Sequence, residues 1–237
     1  MSETFTPIDP DHLPTGDDKV AAVRSMFDTI APRYDLVNRV MTFRMDVGWR
    51  RRTVSALGLV PGSLIADLAC GTGDFCHELA ERGFRPIGFD LSYGMLAAAP
   101  RPFPRAQADA LDLPLAEAVL DGVTCGFALR NFAELPRFFA ELARVVRPGG
   151  RIALLEVAEP PNPVMRFGHG IYFGSVVPLV GGLLSDRNAY RYLPKSVAYL
   201  PQPDDMMAML ARSGFSDARR QLLSGGISQL ITATRDR

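Results

Sequence analysis

A chain of 237 residues, 47% apolar and 22% charged, is long enough to bury one full core and needs no second domain. Its formal net charge of +0 leaves no electrostatic footprint for nucleic acid, and the basic run Arg50-Arg51-Arg52 reads plainly as a solvated helix face. The three cysteines, Cys70, Cys76 and Cys125, are too few and too irregularly spaced for a disulfide framework or a metal site, which points to reduced thiols in the cytosol.

Residues 1–18 are rich in Asp, Pro and Thr, with no basic n-region ahead of an apolar run. They read as a flexible arm without a signal peptide. Helices are expected over about 20–57. LIADLA (64–69) is an apolar run of strand length that ends at a glycine-rich turn, and Phe75 to Arg82 reads as a helix. PIGF (86–89) is a second strand, closed by Asp90, and Ser92 is a fair N-cap for a helix through Ala98. Arg105 to Ala108 makes a third strand and Val119 to Leu129 contains a fourth.

A helix from about Ala133 to Val146 places Leu135, Phe138, Phe139 and Leu142 on one face. Pro148-Gly149-Gly150 is expected to stop it before a fifth strand, RIALLEV (151–157). Asp204 to Ser213 is helical, and QLL, SGG and ISQLITAT spell strand, turn and strand. Strands alternating with helices predict a Rossmann-like α/β domain whose mostly parallel sheet is closed by an antiparallel C-terminal hairpin.

Phe167 to Leu184 stands apart, with 18 residues and no Asp, Glu, Lys or Arg. Its five glycines, Pro178 and His169, together with ordinary soluble flanks, argue against a membrane span. The segment, with its surroundings at about 160–202, is expected to be a helical lid or a surface that meets a membrane or an apolar substrate.

The strongest chemistry lies in DLACGTGD (67–74), which follows a strand and opens a helix, where α/β sheets bind nucleotides. Gly71 and Gly73 permit close backbone approach. Asp90, at the end of the next strand, is placed to accept from ribose hydroxyls. A dinucleotide-binding fingerprint wants a third glycine where this chain has Cys76. Asp67 and Asp74 put carboxylates around the turn, which suits the ammonium of a methionine moiety better than a diphosphate. S-adenosylmethionine is therefore the expected cofactor. A nicotinamide-dependent oxidoreductase and a catalytically silent nucleotide-binding module are the rivals from other classes.

DLACGTGD, FDLSYGML (89–96), QADALDLP (107–114) and RVVRPGGRIALLE (144–156) together resemble class I methyltransferases. More narrowly, three further segments resemble the ubiquinone/menaquinone biosynthesis C-methyltransferases. These are FDTIAPRYDLVNRVMTFRMDVGWRR (27–51), FALRNF (127–132) and the helix-loop region 185–215 with its Tyr-Arg-Tyr-Leu run. The chain departs from the family pattern at Val37, Thr42, Asp46 and Gly126.

The resemblance implies methyl transfer from S-adenosylmethionine to a ring carbon of a reduced prenylated quinone, demethylmenaquinol ahead of a ubiquinone precursor. A soluble small-molecule acceptor is the competing reading. It also implies a cytoplasmic enzyme with peripheral membrane contact. Cofactor contacts are implied at Thr72, Asp90, Asp109 and Ala110, with Asp67, Gly71 and Gly73 from the general methyltransferase pattern and Leu91 against the adenine. Arg130 and Asn131 are the candidates for the chemistry, because they follow the fourth strand at the carboxyl edge of the sheet. A guanidinium stays protonated, so Arg130 can hold a phenolate or simply pair with a nearby carboxylate. Tyr34, His169, Tyr190 and Tyr192 are expected to line the substrate pocket, although a lone histidine in an apolar segment is more often packed than catalytic.

Overall fold

Alternation along the strands decides the layering. In β1 (Leu64–Leu68), Ala66 and Leu68 join one apolar cluster while Ile65 joins another, and in β5 (Val146–Val157) Ile152 and Leu154 part in the same way from Ala153 and Leu155. Both faces of the sheet are thus covered, as buried parallel strands require. The computed structural model describes residues 15–184, 186, 189, 192 and 195–236.

β2 (Arg85–Asp90), β3 (Arg105–Gln107) and β4 (Leu120–Gly126) lie parallel with β1 and β5, while β6 (Phe215–Leu223) and β7 (Ser228–Arg235) form an antiparallel pair. The order across the seven strands is β3-β2-β1-β4-β5-β7-β6. The expected closing hairpin is present, with β7 inserted antiparallel against β5.

Helices α1 (Gly16–Ile30), α2 (Tyr34–Met41) and α3 (Met45–Ala56) precede the sheet. α4 (Asp74–Glu81) and α5 (Tyr93–Ala97) follow β1 and β2, and Ser92 caps α5 by accepting from Met95 N at 3.1 Å. α6 (Leu135–Val145) buries Leu135, Phe138, Phe139 and Leu142 as their spacing predicts. α7 (Pro163–Ile171) runs through a π turn, Tyr172–Val176, into α8 (Val177–Leu184), so the apolar segment is helical. α9 (Pro203–Arg212) precedes β6. Among the described residues no helix is long and apolar enough to cross a membrane.

Two expectations change. Gly16 to Asp18, read as part of the arm, form the first turn of α1, while 1–14 lie outside the described residues. α1 is held down one residue later, where Lys19 Nζ donates to Phe132 O at 2.9 Å and sits 3.6 Å from the Tyr199 ring centroid. Pro148-Gly149-Gly150 does not stop α6. The helix ends at Val145 because Val146 already pairs with Leu120, and the Pro-Gly-Gly step is a bulge inside β5, with Gly149 at φ +78°. Gly150 allows close packing there, since a Cβ would lie 2.8 Å from Asp121 O.

The N-terminal helices are tied to the sheet edge through side chains. Asp28 accepts from Ser92 Oγ at 2.5 Å and from Gly94 N at 2.8 Å, which fixes α1 against the start of α5. Asp28→Ala removes both bonds and is expected to cost about 1–3 kcal/mol in chemical denaturation. An unchanged midpoint and slope would show that α1 is held by apolar packing alone.

Candidate active site

β1 and β4 are neighbours, yet the chain leaves them in opposite directions across the sheet. Their carboxyl ends therefore border the crevice where open α/β sheets bind ligands. The backbone is left-handed there at Ala69 (φ +51°), Gly71 (φ +55°), Gly73 (φ +91°) and Phe127 (φ +58°). A bulky aromatic in that region is strained, and such strain concentrates at functional sites. Phe127 is held by its N–H, which donates to Leu155 O at 2.7 Å.

Two clefts meet at this crevice. The smaller, about 820 Å³, is walled by α1 through Val20, Val23 and Arg24 and floored by the ends of β1, β2 and β4. The larger, about 1830 Å³, lies between α2–α3, the β1 turn and α7–α8, and is mainly apolar. Phe27, Tyr34, Ala69, Gly71, Gly126 and Phe127 line both, so the clefts join at a neck. Two glycines are closely packed there. A Cβ at Gly126 would come 2.5 Å from the Phe75 ring, and one at Gly71 would come 3.0 Å from Met95 Cε.

In the smaller cleft Asp90 Oδ2 accepts from Gly71 N and Oδ1 from Ser92 N, each at 2.8 Å. Burial pushes its carboxyl up to about 6, with the two N–H donors pulling the other way. Asp109 Oδ1 accepts from Leu111 N at 2.9 Å, and Leu91, Ala110 and Asn131 complete the lining. Asn131 is 9% exposed and its Oδ1 is buried without a hydrogen-bond partner. A buried acceptor left unpaired is costly, so it marks a place for a donor from outside the chain. Two carboxylates, an unpaired acceptor and an apolar wall fit a nucleoside that carries an ammonium group.

The larger cleft has one polar side. Thr42 Oγ1 donates to Asp46 Oδ1 at 2.5 Å, Asp46 pairs with Arg50 at 2.7 Å, and Arg50 pairs with Asp74 at 3.0 Å. Thr42 and Asp46, two departures from the family pattern, thus contact each other. Thr72 Oγ1 donates to Asp35 Oδ1 at 2.6 Å and binds α2 to the glycine turn.

A family model described as the ubiE/COQ5 methyltransferase family matches residues 15–235. The chain belongs to this family. It is 42% identical to the demethylmenaquinone methyltransferase of Thermus thermophilus over 89% of this chain and 100% of that one. Identity to the Desulfitobacterium hafniense demethylmenaquinone methyltransferase is 35%, over 94% and 93% of the two chains. Identity to the ubiquinone/menaquinone biosynthesis C-methyltransferase of Syntrophotalea carbinolica is 40%, over 90% and 93%. An S-adenosylmethionine-dependent methyltransferase from Thermotoga maritima shares the fold, at TM-score 0.63 and 16% identity over 90% of this chain and 99% of that chain. So does Haemonchus contortus phosphoethanolamine N-methyltransferase 2 with bound S-adenosylmethionine, at TM-score 0.60 and 13% identity over 79% and 52%. The methyl donor of this family member is S-adenosylmethionine.

Of the expected cofactor residues, Gly71, Asp90, Leu91, Asp109 and Ala110 come together in the smaller cleft. Thr72 faces the larger one. Gly73 lines neither. Its φ of +91° and the Phe103 ring, 2.2 Å from where a Cβ would stand, explain the glycine without a ligand.

Asp67 also lines neither cleft. It is 1% exposed, accepts from Thr124 Oγ1 at 2.8 Å and lies against Cys76 of α4. Burial pushes its carboxyl up to about 8, so it is mainly neutral at pH 7 and does not supply the negative charge read from the sequence.

Asn131, read with the chemistry, lines the smaller cleft. Arg130 lines the larger cleft at 6% exposure. Its Nη1 pairs with the fully buried Glu156, and its Nε donates to Ser196 Oγ at 3.1 Å. The carboxylate pair open to it in sequence is formed.

Tyr34 and His169 line the larger cleft, whereas Tyr192 packs with Met26, Ile30 and Val37 inside the helical layer. Tyr190 lies outside the described residues. Sequence reasoning missed the pairings of Asp28 with Ser92, Asp35 with Thr72 and Arg50 with Asp74, which join residues distant in the chain and carry no local mark.

Asp67 binds its proton more tightly in the fold than in the unfolded chain, where a carboxyl titrates near about 4. Its contribution to stability is therefore full below about pH 4 and is lost as pH rises towards about 8. Asp67→Asn keeps the neutral shape and is expected to flatten this fall, gaining melting temperature over the parent as pH is raised from 5 to about 8. Parallel melting curves for the two proteins across that range would show that Asp67 is ionised in the fold.

Proposed function

We propose that this enzyme methylates a ring carbon of reduced demethylmenaquinone. The observation that carries the reading is the neck at Gly71, Gly126, Tyr34 and Phe127, which joins a nucleoside-shaped cleft to a larger apolar one. The relatives named above as demethylmenaquinone methyltransferases support the same acceptor.

S-adenosylmethionine supplies an electrophilic methyl group on a sulfonium. The chain's own task is to hold the acceptor carbon in line with it and to favour loss of a ring hydroxyl proton, which makes the adjacent carbon nucleophilic. Asp90 and Asp109 are assigned to the ribose hydroxyls, Asn131 Oδ1 to the ammonium and Leu91 to the adenine face. Those contacts would place the methyl-bearing end of a bound donor near the residues shared by the two clefts.

In the larger cleft Arg130 is held rigid by Glu156, and its positive charge bears on the Tyr34 phenol, opposing the upward push of burial there. The same field favours a phenolate formed at the neck. His169 also lines this cleft with Nε2 buried and unpartnered, and burial holds its imidazole below its usual range and hence neutral at pH 7. A neutral imidazole accepts a hydrogen bond or a proton from a ring hydroxyl. Tyr172 and Phe173 supply flat apolar surface for the ring or tail.

Arg130→Lys keeps a cation opposite Glu156 but not the planar fork. It is expected to leave S-adenosylmethionine affinity and melting temperature near the parent values while kcat falls about tenfold or more. An unchanged kcat at saturating acceptor would remove Arg130 from the chemistry.

The reading as a whole is tested with labelled S-adenosylmethionine and three acceptors: reduced demethylmenaquinone, a reduced ubiquinone precursor and none. Label in the menaquinone product is the expected result. Label in the ubiquinone precursor alone moves the enzyme to that branch, and cofactor binding without label in either overturns the quinone acceptor.

A further inference from the structure

The helix that closes the larger cleft is two-sided. Its inner side gives Met165, Gly168, His169, Tyr172, Phe173 and Val177 to the cleft. Its outer side leaves Val164 80%, Phe167 73%, Leu179 65% and Leu183 76% exposed. In a helix made to pack on a core, one side is apolar and the other is charged. Here the outer side is apolar too, and from Pro163 to Leu184 it carries no Asp, Glu or Lys.

α2 extends the surface. It packs beside α8 and exposes Leu36 and Val40, with Phe43 just beyond its end. Tyr172 stitches the two elements, since its hydroxyl donates to Met41 O at 2.5 Å and its ring lies 6.0 Å from that of Phe43. Single exposed apolar side chains need no explanation, but a contiguous patch rimmed by charge marks an interaction surface.

The rim is mainly basic. Arg39 and Arg44 on the α2 side and Arg166 on α7 are exposed; Arg166 donates to Pro161 O at 3.1 Å and lies 3.6 Å from the exposed Glu159. We infer that α7–α8 and the outer edge of α2 form a docking face for an anionic phospholipid surface. Apolar side chains enter the headgroup boundary, and the arginines meet the phosphates.

A second copy of the chain fits less well, because a two-fold contact would bring the arginine rims together. Docking in this pose sets the apolar cleft, whose wall is the same helix, against the bilayer that would hold a prenylated substrate. That last consequence rests on the proposed quinone reaction, whereas the docking face does not.

The test is co-sedimentation of the whole protein with vesicles of phosphatidylcholine, alone or mixed with phosphatidylglycerol. The parent is compared with Phe167→Ser/Leu179→Ser and with Arg39→Glu/Arg166→Glu, all exposed positions outside both clefts. Parent binding is expected to be stronger with phosphatidylglycerol. The serine pair is expected to lose about tenfold or more in partitioning, and the glutamate pair to lose the anionic preference.

Melting curves and transfer to a short-tailed soluble quinol check that the variants stay folded and competent. Equal partitioning of parent and serine pair, or no parent binding to either vesicle, overturns the docking face. A parent dimer that the serine pair dissociates assigns the patch to self-association and overturns it as well. Vesicle binding without methyl transfer to any quinol leaves the docking face standing and removes the quinone reading instead.

Discussion

The site depends on how a few acceptors hold the turns at the carboxyl edge of the sheet. Asp90 bridges the amides of Gly71 and Ser92, Asp28 takes the Ser92 hydroxyl and the Gly94 amide, and Asp35 takes the Thr72 hydroxyl. One run of hydrogen bonds thus connects α1, the start of α5 and the glycine turn, and the glycine turn is joined in turn to α2. Turns with left-handed residues at Ala69 and Gly71 are not held by secondary structure, and without such partners the ligand-facing backbone would have no fixed shape. The N-terminal helices and the smaller cleft are consequently one mechanical unit.

That unit explains why the two clefts meet where they do. α1 walls the smaller cleft, and α2 with α3 walls the larger, so both are set by helices that the same bonds anchor. The far wall of the larger cleft is made differently. α7–α8 meets α2 through apolar contact and the Tyr172 hydroxyl, and its π turn interrupts the regular ladder between the two helices. π turns recur at functional sites. Here the turn sits beside His169 and supplies Tyr172 and Phe173, the aromatic part of the cleft wall.

Much of this was legible in the sequence wherever the signal was local. The strand-turn-helix at DLACGTGD, the acidic end of β2, the Ser92 cap, the α6 stripe and the closing hairpin all follow from spacing and turn chemistry within a dozen residues. Long-range pairings were not. Asp28 meets Ser92 across 64 positions and Asp35 meets Thr72 across 37, and nothing in either segment announces the other. Side-chain direction was also hidden. Ala66 and Asp67 are neighbours in one strand, but the period of two sends them to opposite faces, so Asp67 is turned beneath the sheet towards Thr124 and α4. Pro148-Gly149-Gly150 failed as a stop signal because the same residues serve a bulge, and only the pairing of Val146 with Leu120 tells the two apart.

The correction at Asp67 changes the argument for the cofactor without reversing it. The sequence reading set two carboxylates, Asp67 and Asp74, against a diphosphate. In the fold the first is mainly neutral and faces away, and the second is paired with Arg50. The carboxylates that line the smaller cleft are instead Asp90 and Asp109. The backbone adds a second obstacle to a diphosphate. Such a group would need the free amides at the start of α4, but Phe103 covers Gly73 and the third-glycine position is Cys76, fully buried against Asp67. The helix end that a dinucleotide site would use is therefore packed into the core. What remains open is a carboxylate-lined cleft with an unpaired amide oxygen, suited to hydroxyls and an ammonium group rather than to phosphate.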